Sequence, residues 1–167
     1  ITDDYNPPTV DFNTTSSSGA ESLASTALTV DLSTASAKDV TVAYTISGTA
    51  TGSGTDFTLA NGSLTIAAGD TSGAITIASI VNDALDEANE TVIVTLTASP
   101  TNAALGSDTA HTYTINANYD MPSLSIADVT AANENAANKT FTVNLSAAAG
   151  RDVTVTFATS NGIATAG

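Results

Sequence analysis

Oxygen-bearing side chains are the residues of this sequence best suited to do chemistry. There are 17 Asp and Glu residues against three Lys and Arg, so the formal net charge is −14. Carboxylates with so little internal neutralisation suit hard divalent cations, and Ca²⁺ takes six to eight oxygen ligands. The candidate ligands fall in four separate segments: Glu21; Asp56; Asp83, Asp86, Glu87 and Glu90; and Asn116, Asn118 and Asp120.

The same composition excludes several other chemistries. Nucleic acids and anionic membrane surfaces are both bound mainly through Lys and Arg, so a chain of this charge is predicted to bind neither. The sequence has no Cys, which excludes disulfides and thiolate sites. Its one His (His111) excludes metal centres built from several histidines. No run approaches the roughly 20 apolar residues of a membrane span.

Apolar and polar residues alternate with a period of two, which is typical of strands with one buried face. Seven such segments, separated by turns rich in Gly, Asn and Pro, lie within about 110 residues. They are predicted as strands A to G at 8–13, 26–33, 38–46, 62–67, 73–80, 90–98 and 110–116. The sequence therefore predicts an all-β protein, a seven-stranded immunoglobulin-like antiparallel sandwich.

Strand direction predicts where the candidate ligands lie. If successive strands reverse, the A–B, C–D and E–F loops share one end of the sandwich with the residues that follow strand G. Glu21 is then in the A–B loop and Asp56 in the C–D loop. The acidic run from Asp83 to Glu90 occupies the E–F loop, and the oxygen ligands from Asn116 onward follow strand G. All four segments are predicted to meet at one tip.

Six carboxylates on one tip, with no Lys or Arg in their own segments, repel one another. At about 4 Å, a pair of like charges costs on the order of 1 to 4 kcal/mol. A bound Ca²⁺ would offset this repulsion, whereas Mg²⁺ prefers a tighter octahedron with fewer protein ligands. The alternative is that these residues are solvated and only keep the protein soluble.

The chain also contains an internal repeat, because residues 7–12 match 121–126 and residues 38–44 match 151–157. It predicts a tandem array in which neighbouring repeats of the same chain are the partners. The second copy is predicted to be ordered only where it packs on the first or on another copy of the chain. The predicted organisation is the end of a preceding repeat at 1–6, a complete domain at 7–117, a linker at 118–122 and strands A to C of a second domain at 123–167.

Three segments of the complete domain resemble the Calx-β domain family. Residues 48–57 (GTATGSGTDF) resemble the family pattern G-T-A-x-x-G-x-D-[YF], and residues 62–70 (GSLTIAAGD) resemble G-x-L-x-F-x-x-G-[ED]. Residues 82–92 (NDALDEANETV) resemble D-D-x-x-x-E-x-x-E-x-F. The three occur in order and at the spacing of the family.

The resemblance implies a seven-stranded sandwich with a Ca²⁺ site at its distal tip. Two departures from the family pattern imply fewer ions or weaker binding, because ligand charge tunes Ca²⁺ affinity. Asn82 replaces the first acid of the D-D pair, and the closing acidic triplet is replaced by Asn116-Ala117-Asn118. The ligands that the resemblance implies are Glu21, Asp56, Asp83, Glu87 and Glu90.

The sequence supports a catalytic role less well than it supports a Ca²⁺ site. His111 lies within predicted strand G, where a single His is expected to be structural. Asp86 or Glu87 with Glu90 could form the acid–base pair of a glycosidase, but no aromatic residues that would bind a sugar lie nearby. We therefore predict that the chain is not an enzyme.

The predicted function is a calcium-binding structural or adhesion module of a large surface or secreted protein, with Ca²⁺ stiffening the joints between repeats. The lack of Cys and the bias toward Ala, Thr, Ser and Asn are more typical of bacterial than of animal proteins. The alternatives are a regulatory Ca²⁺ sensor coupled to a neighbouring domain and a metal-free spacer. A sugar-binding module ranks last, because it lacks an exposed aromatic platform.

Overall fold

The structure of the protein is a computed structural model that describes residues 6–97, 99–118, 121–130, 135, 138–160 and 162. Within these ranges the secondary structure is β-strand, with no helix. The strands are β1 Thr9–Phe12, β2 Ser16–Ala20, β3 Ser25–Leu32, β4 Val40–Gly48, β5 Gly62–Ile66, β6 Ser72–Ala78, β7 Glu90–Leu96, β8 Ala104–Leu105, β9 Ala110–Asn116, β10 Leu124–Ile126 and β11 Val143–Leu145.

Residues 7–117, which we call the first unit, form a sandwich of two sheets. One sheet has the strand order β6-β3-β1-β8, and the other has the order β2-β9-β7-β4-β5. The pairs are antiparallel except β1 with β8 and β2 with β9, which are parallel. The predicted all-β immunoglobulin-like sandwich is confirmed, and each of the seven predicted strands has a counterpart.

The first predicted strand differs from the structure, because the chain changes sheet near its start. β1 lies in one sheet and β2 in the other, beside β9. β2 has the sequence SSSGA and a largely exposed side-chain row, so no apolar alternation marks it as a strand. Gly19 leaves room for the Tyr113 side chain of the neighbouring strand β9, because a Cβ there would overlap the Tyr113 hydroxyl. The short strand β8 was also missed.

The core lies between the two sheets and is formed by alternate strand residues. Burying one Val, Leu or Ile side chain contributes about 1.5–3 kcal/mol, so this set supplies most of the driving force for folding. Phe57, from the loop between β4 and β5, closes the core at one end. The buried apolar residues are Val10, Phe12, Leu28, Val30, Leu32, Val40, Val42, Phe57, Ile66, Ile75, Ile77, Ile80, Val92, Val94, Leu96, Tyr113 and Ile115.

Residues 123–167, which we call the second unit, contain β10 and β11. These two strands pair antiparallel, with Leu124 opposite Leu145 and Ile126 opposite Val143. The register repeats that of β1 and β3, in which Val10 lies opposite Leu32. Among the described residues no further strand joins this two-stranded sheet.

Candidate metal centre

The four acidic segments meet at one end of the first unit. The Glu21 N–H, just after β2, donates to the Asn116 carbonyl at the end of β9 (3.2 Å). The Val81 N–H, after β6, donates to the Asp56 carbonyl in the loop between β4 and β5 (2.9 Å). We call the side chains of Glu21, Asp56, Asp83, Glu87 and Glu90 the acidic tip.

Glu21 is held at the end of β2 by the pairing of that strand with β9. Its side chain is buried, and its Oε2 atom has no hydrogen-bond partner. A buried carboxylate oxygen without a donor is costly, because desolvation is not offset by a hydrogen bond. The missed strand β2 is therefore the element that places the most deeply buried acid of the tip.

Asp56 is fixed by its own loop. Its Oδ2 atom accepts from the Thr51 N–H (2.5 Å), and its own N–H donates to the Thr51 carbonyl (2.9 Å). Ser53 and Gly54 have positive φ, which closes the loop within a few residues. The buried ring of Phe57 anchors the next position, so the loop is held at both ends.

The loop between β6 and β7, residues 79–89, supplies Asp83 and Glu87. The Asp83 Oδ1 atom accepts from the Leu85 N–H (2.7 Å), forming an Asx turn that organises the loop. Glu90 begins β7, opposite Ile115 of β9. The loop thus begins after β6 of one sheet and ends at β7 of the other, the sheet whose strand β2 leads into Glu21.

The amide residues after β9 bind the same loop. The Asn118 side chain donates to the Asp83 carbonyl (3.0 Å), while its Oδ1 atom is buried without a partner. Asn116 takes part through its backbone carbonyl, which accepts from Glu21. Asp120, also predicted as a ligand, lies outside the described residues.

The acids of the tip are close enough to alter one another's protonation. The pKa of Glu90 is raised to about 7. The largest cause is burial, followed by a hydrogen bond with Asp56 and the charges of Asp56, Glu87 and Glu21. A hydrogen bond between two carboxyl groups requires one of them to hold a proton. The tip therefore retains protons that isolated carboxylates would release.

Glu21 and Glu87 show the same effect. The pKa of Glu21 is raised, mainly by burial and also by the charges of Glu87, Asp83 and Asp56. A hydrogen bond from the Asn118 backbone partly offsets this rise. Burial and the charges of Asp83 and Asp56 raise the pKa of Glu87. The repulsion expected from the sequence is thus present at these two side chains.

The chemistry of this donor set fits a hard cation. Its donors are oxygens, and two of them, Glu21 Oε2 and Asn118 Oδ1, are buried without partners. In the described parts of the chain, however, no three Asp, Glu, His or Cys side chains are grouped as the ligands of one ion are. To bind here, an ion would have to bring the carboxylates closer together and replace the protons that they share.

Asp86 is different from the other acids of its loop. Its Oδ1 atom accepts from Arg151 Nη2 of the second unit (2.7 Å), and its side chain is 10% exposed. The sequence placed Asp86 among six carboxylates with no base in their own segments. The neutralising base comes from a segment 65 residues away in sequence, which no local pattern reveals.

His111 is held as a structural residue. Its Nδ1 atom lies 2.6 Å from the Thr14 carbonyl, and its Nε2 atom lies 2.7 Å from the Ser17 hydroxyl. Because a carbonyl only accepts, Nδ1 carries the proton and Nε2 accepts from Ser17. The buried imidazole thereby joins β9 to the residues that begin β2.

Two sheets packed face to face, with acidic loops gathered at one end, define an immunoglobulin-like β-sandwich module. The chain belongs to the Calx-beta domain family, whose sequence pattern matches residues 3–120 and again residues 118–167. The resemblance predicted from the three sequence motifs is confirmed. No curated protein sequence matches the chain.

Several solved structures share the fold. The apo-form Calx CBD1 domain is 21% identical, with 68% of this chain and 99% of that chain covered and a TM-score of 0.60. The calcium binding domain CBD12 of CALX1.1 is 22% identical, with 67% and 45% covered and a TM-score of 0.59. The Calx CBD2 domain is 16% identical, with 64% and 84% covered and a TM-score of 0.56. At these identities the similarity shows the fold alone.

Among the residues that the structure describes, there is no helix of the length and apolar character needed to cross a bilayer.

Proposed function

We propose that the chain is a non-enzymatic calcium-binding module, with Ca²⁺ held at the acidic tip of the first unit. The observation that carries the proposal is the buried Glu21 side chain, whose Oε2 atom has no hydrogen-bond partner and whose pKa is raised by burial and by three neighbouring acids. A bound cation would supply positive charge where these residues now hold protons. The proposed ligands are Glu21, Asp56, Asp83, Glu87 and Glu90, with further oxygens from Asn116, Asn118 and Asp120.

The names of structures that share this fold support a calcium-binding role. Two of the structures that share the fold are described as calcium binding domain CBD12 and Calx CBD1. The acidic tip also lies beside the chain that leads into the second unit, since Asn118 bonds the loop 79–89. Ca²⁺ at the tip would therefore order the residues that join the two units.

The wider role that follows is a repeat in a surface-exposed or secreted protein. Two matches to the same family along one chain support a tandem arrangement, in which neighbouring repeats are the partners. In that role, Ca²⁺ would stiffen the joint between repeats and thereby extend a stalk or adhesin. The chain would then lie outside the cell, where free Ca²⁺ is abundant enough for a weak site.

A metal-free spacer is the second candidate, and one observation favours it. No three acidic side chains among the described residues are grouped closely enough for one ion. Asn82, Asn116 and Asn118 also stand where the family has acids, which lowers the charge available to a cation. A spacer would need only the sandwich and its connections to neighbouring repeats.

Calorimetric titration of Ca²⁺ into the full chain, with thermal unfolding in Ca²⁺ and in chelator, separates the two candidates. An ion that binds the native state stabilises it by about 2.7 kcal/mol at 100 times the Kd. Glu21→Gln should abolish the heat and the shift in Tm. Asp70→Asn, an exposed acid in the turn between β5 and β6, should leave both unchanged. No heat and no shift at millimolar Ca²⁺ would establish the spacer.

A further inference from the structure

The salt bridge between Arg151 and Asp86 joins the two units. Arg151 lies in residues 146–152, between β11 and the segment of the second unit that corresponds to β4. Its side chain is 44% exposed, while that of Asp86 is 10% exposed. Asp86 is therefore largely withdrawn from water, and a carboxylate so placed needs its cation more than a surface carboxylate does.

The backbone approaches the same loop beside this bond. A Cβ added to Gly150 would lie 2.9 Å from Glu87 Cγ and 3.3 Å from the Asp86 carbonyl oxygen. Both distances are tighter than ordinary van der Waals contact, so the second unit touches the loop 79–89 through a residue without a side chain. Met121 and Pro122 of the connecting segment line a cleft next to this contact, together with Arg151 and Asp86.

We propose that Gly150 and Arg151 form a docking contact that sets the angle between consecutive units, with Asp86 of the preceding unit as its receptor. The contact depends on one ion pair and one close backbone approach. Since neither requires a metal, the contact stands or fails independently of the calcium site.

The sequence of the first unit supports a repeated use of this contact. Lys38 is the only Lys or Arg between residues 7 and 117, and the repeat aligns it with Arg151. In both units the base is followed by Asp-Val-Thr-Val. Lys38 thus occupies in the first unit the position that Arg151 occupies in the second. A base at the same position of two acidic units is expected if that position contacts an acidic neighbour.

The absence of Cys makes a direct test simple. Ser107→Cys and Asn138→Cys place two thiols on exposed residues of the two units, and spin labels attached there report the distance between the units. Measured on the full chain in chelator, the parent protein should show a narrow distance distribution. Arg151→Met should broaden it, while Lys139→Met, another base of the second unit, should not.

A charge exchange separates a specific contact from a merely structural one. Asp86→Lys combined with Arg151→Glu should restore the narrow distribution that either substitution alone removes. Tyr emission during urea unfolding of each variant checks that the first unit remains folded, since residues 123–167 contain no Tyr. A distribution unchanged by Arg151→Met, or not restored by the exchange, would overturn the proposal.

Repeating the measurement in Ca²⁺ keeps the two proposals distinguishable. If the tip binds Ca²⁺, the ordered loop 79–89 should narrow the distribution further, an expectation that rests on the proposed function. If it does not, the distribution in Ca²⁺ and in chelator will coincide, and the docking contact still shows its dependence on Arg151.

Discussion

Leu32 in the first unit and Leu145 in the second occupy matching positions, each opposite the first strand of its unit. Leu32 is 6% exposed and Leu145 is 42% exposed. The same contrast holds for Val30 and Val143, which are 0% and 47% exposed. Strand pairing is therefore the same in both units, and among the described residues only the first unit has a second sheet over the apolar side of that pair.

The contrast separates two contributions to the fold. Hydrogen bonding between neighbouring strands follows from a short alternating sequence and repeats in both units. Burial of the apolar row depends on β7 and β9, which lie far along the sequence in the first unit. Most of the free energy of folding comes from that burial, so the two units should respond very differently to the same substitution.

The largest expected difference is in the loss of unfolding free energy caused by Leu32→Ala and by Leu145→Ala. Truncating a buried Leu costs about 2–5 kcal/mol, because transfer free energy is lost and a cavity remains. An exposed position changes stability by about 0.5 kcal/mol or less. The midpoint of urea unfolding, followed by far-UV circular dichroism, which reports on the strands of both units, should therefore shift for Leu32→Ala alone. A comparable loss in Leu145→Ala would mean that the face of β10 and β11 is covered in solution.

The next difference concerns two glycines that the repeat aligns, Gly48 and Gly162. Gly48 has a φ of 128°, and a Cβ there would overlap the Thr91 carbonyl oxygen, which accepts from two N–H groups. A Cβ added to Gly162 would meet no atom of the described residues within 4 Å. Gly48→Ala should lower the free energy of unfolding by about 1–3 kcal/mol, and Gly162→Ala should have little effect. Equal effects in urea titrations would contradict the difference in backbone environment.

The smallest expected effect is a pH dependence carried by the acidic tip of the first unit. The pKa of Glu90 is raised to about 7, so the folded state binds its proton more tightly than the unfolded chain does. Its stabilising contribution is complete below about pH 4.5, the ordinary pKa of Glu, and is lost as pH rises to about 7. In chelator the free energy of unfolding should fall across this window, by on the order of 1 kcal/mol once solvent screening is allowed for.

Glu90→Gln is the matched variant for that measurement. It should flatten the dependence of urea unfolding on pH in chelator, because Gln has no proton to lose. In Ca²⁺ the parent protein should also show a flatter dependence, since the cation favours the deprotonated acids. A free energy of unfolding that rises between about pH 4.5 and 7 in chelator would contradict the raised pKa of Glu90.

Much of the fold was predictable because it depends on alternation. Val40, Val42 and the apolar residues of β7 recur every second position, and that periodicity marks both the strand and its buried face. β2 carries no such signal, because it is an edge strand of small residues whose position depends on the buried His111 and Tyr113. The change of sheet after Phe12 was for the same reason not visible in the sequence.

The acidic tip was predictable from strand direction, and its energetics were not. Loop placement follows from counting strands, so Glu21 and Asp56 could be assigned to one end. The partner of Asp86 could not, because Arg151 belongs to the next unit and the pairing depends on how the two units meet. The roles of individual acids as ligands stay a prediction, which the titration with Glu21→Gln tests.

The parallel pairing of β2 with β9 has a mechanical consequence. Five residues, Ser16–Ala20, pair with Thr112–Asn116, close to where the chain enters and leaves the first unit. Tension applied along the chain pulls these two strands in opposite directions along their length. Their hydrogen bonds are then stretched together in shear, and none can open before the others. A chain of such units should resist extension until a whole strand pair ruptures at once.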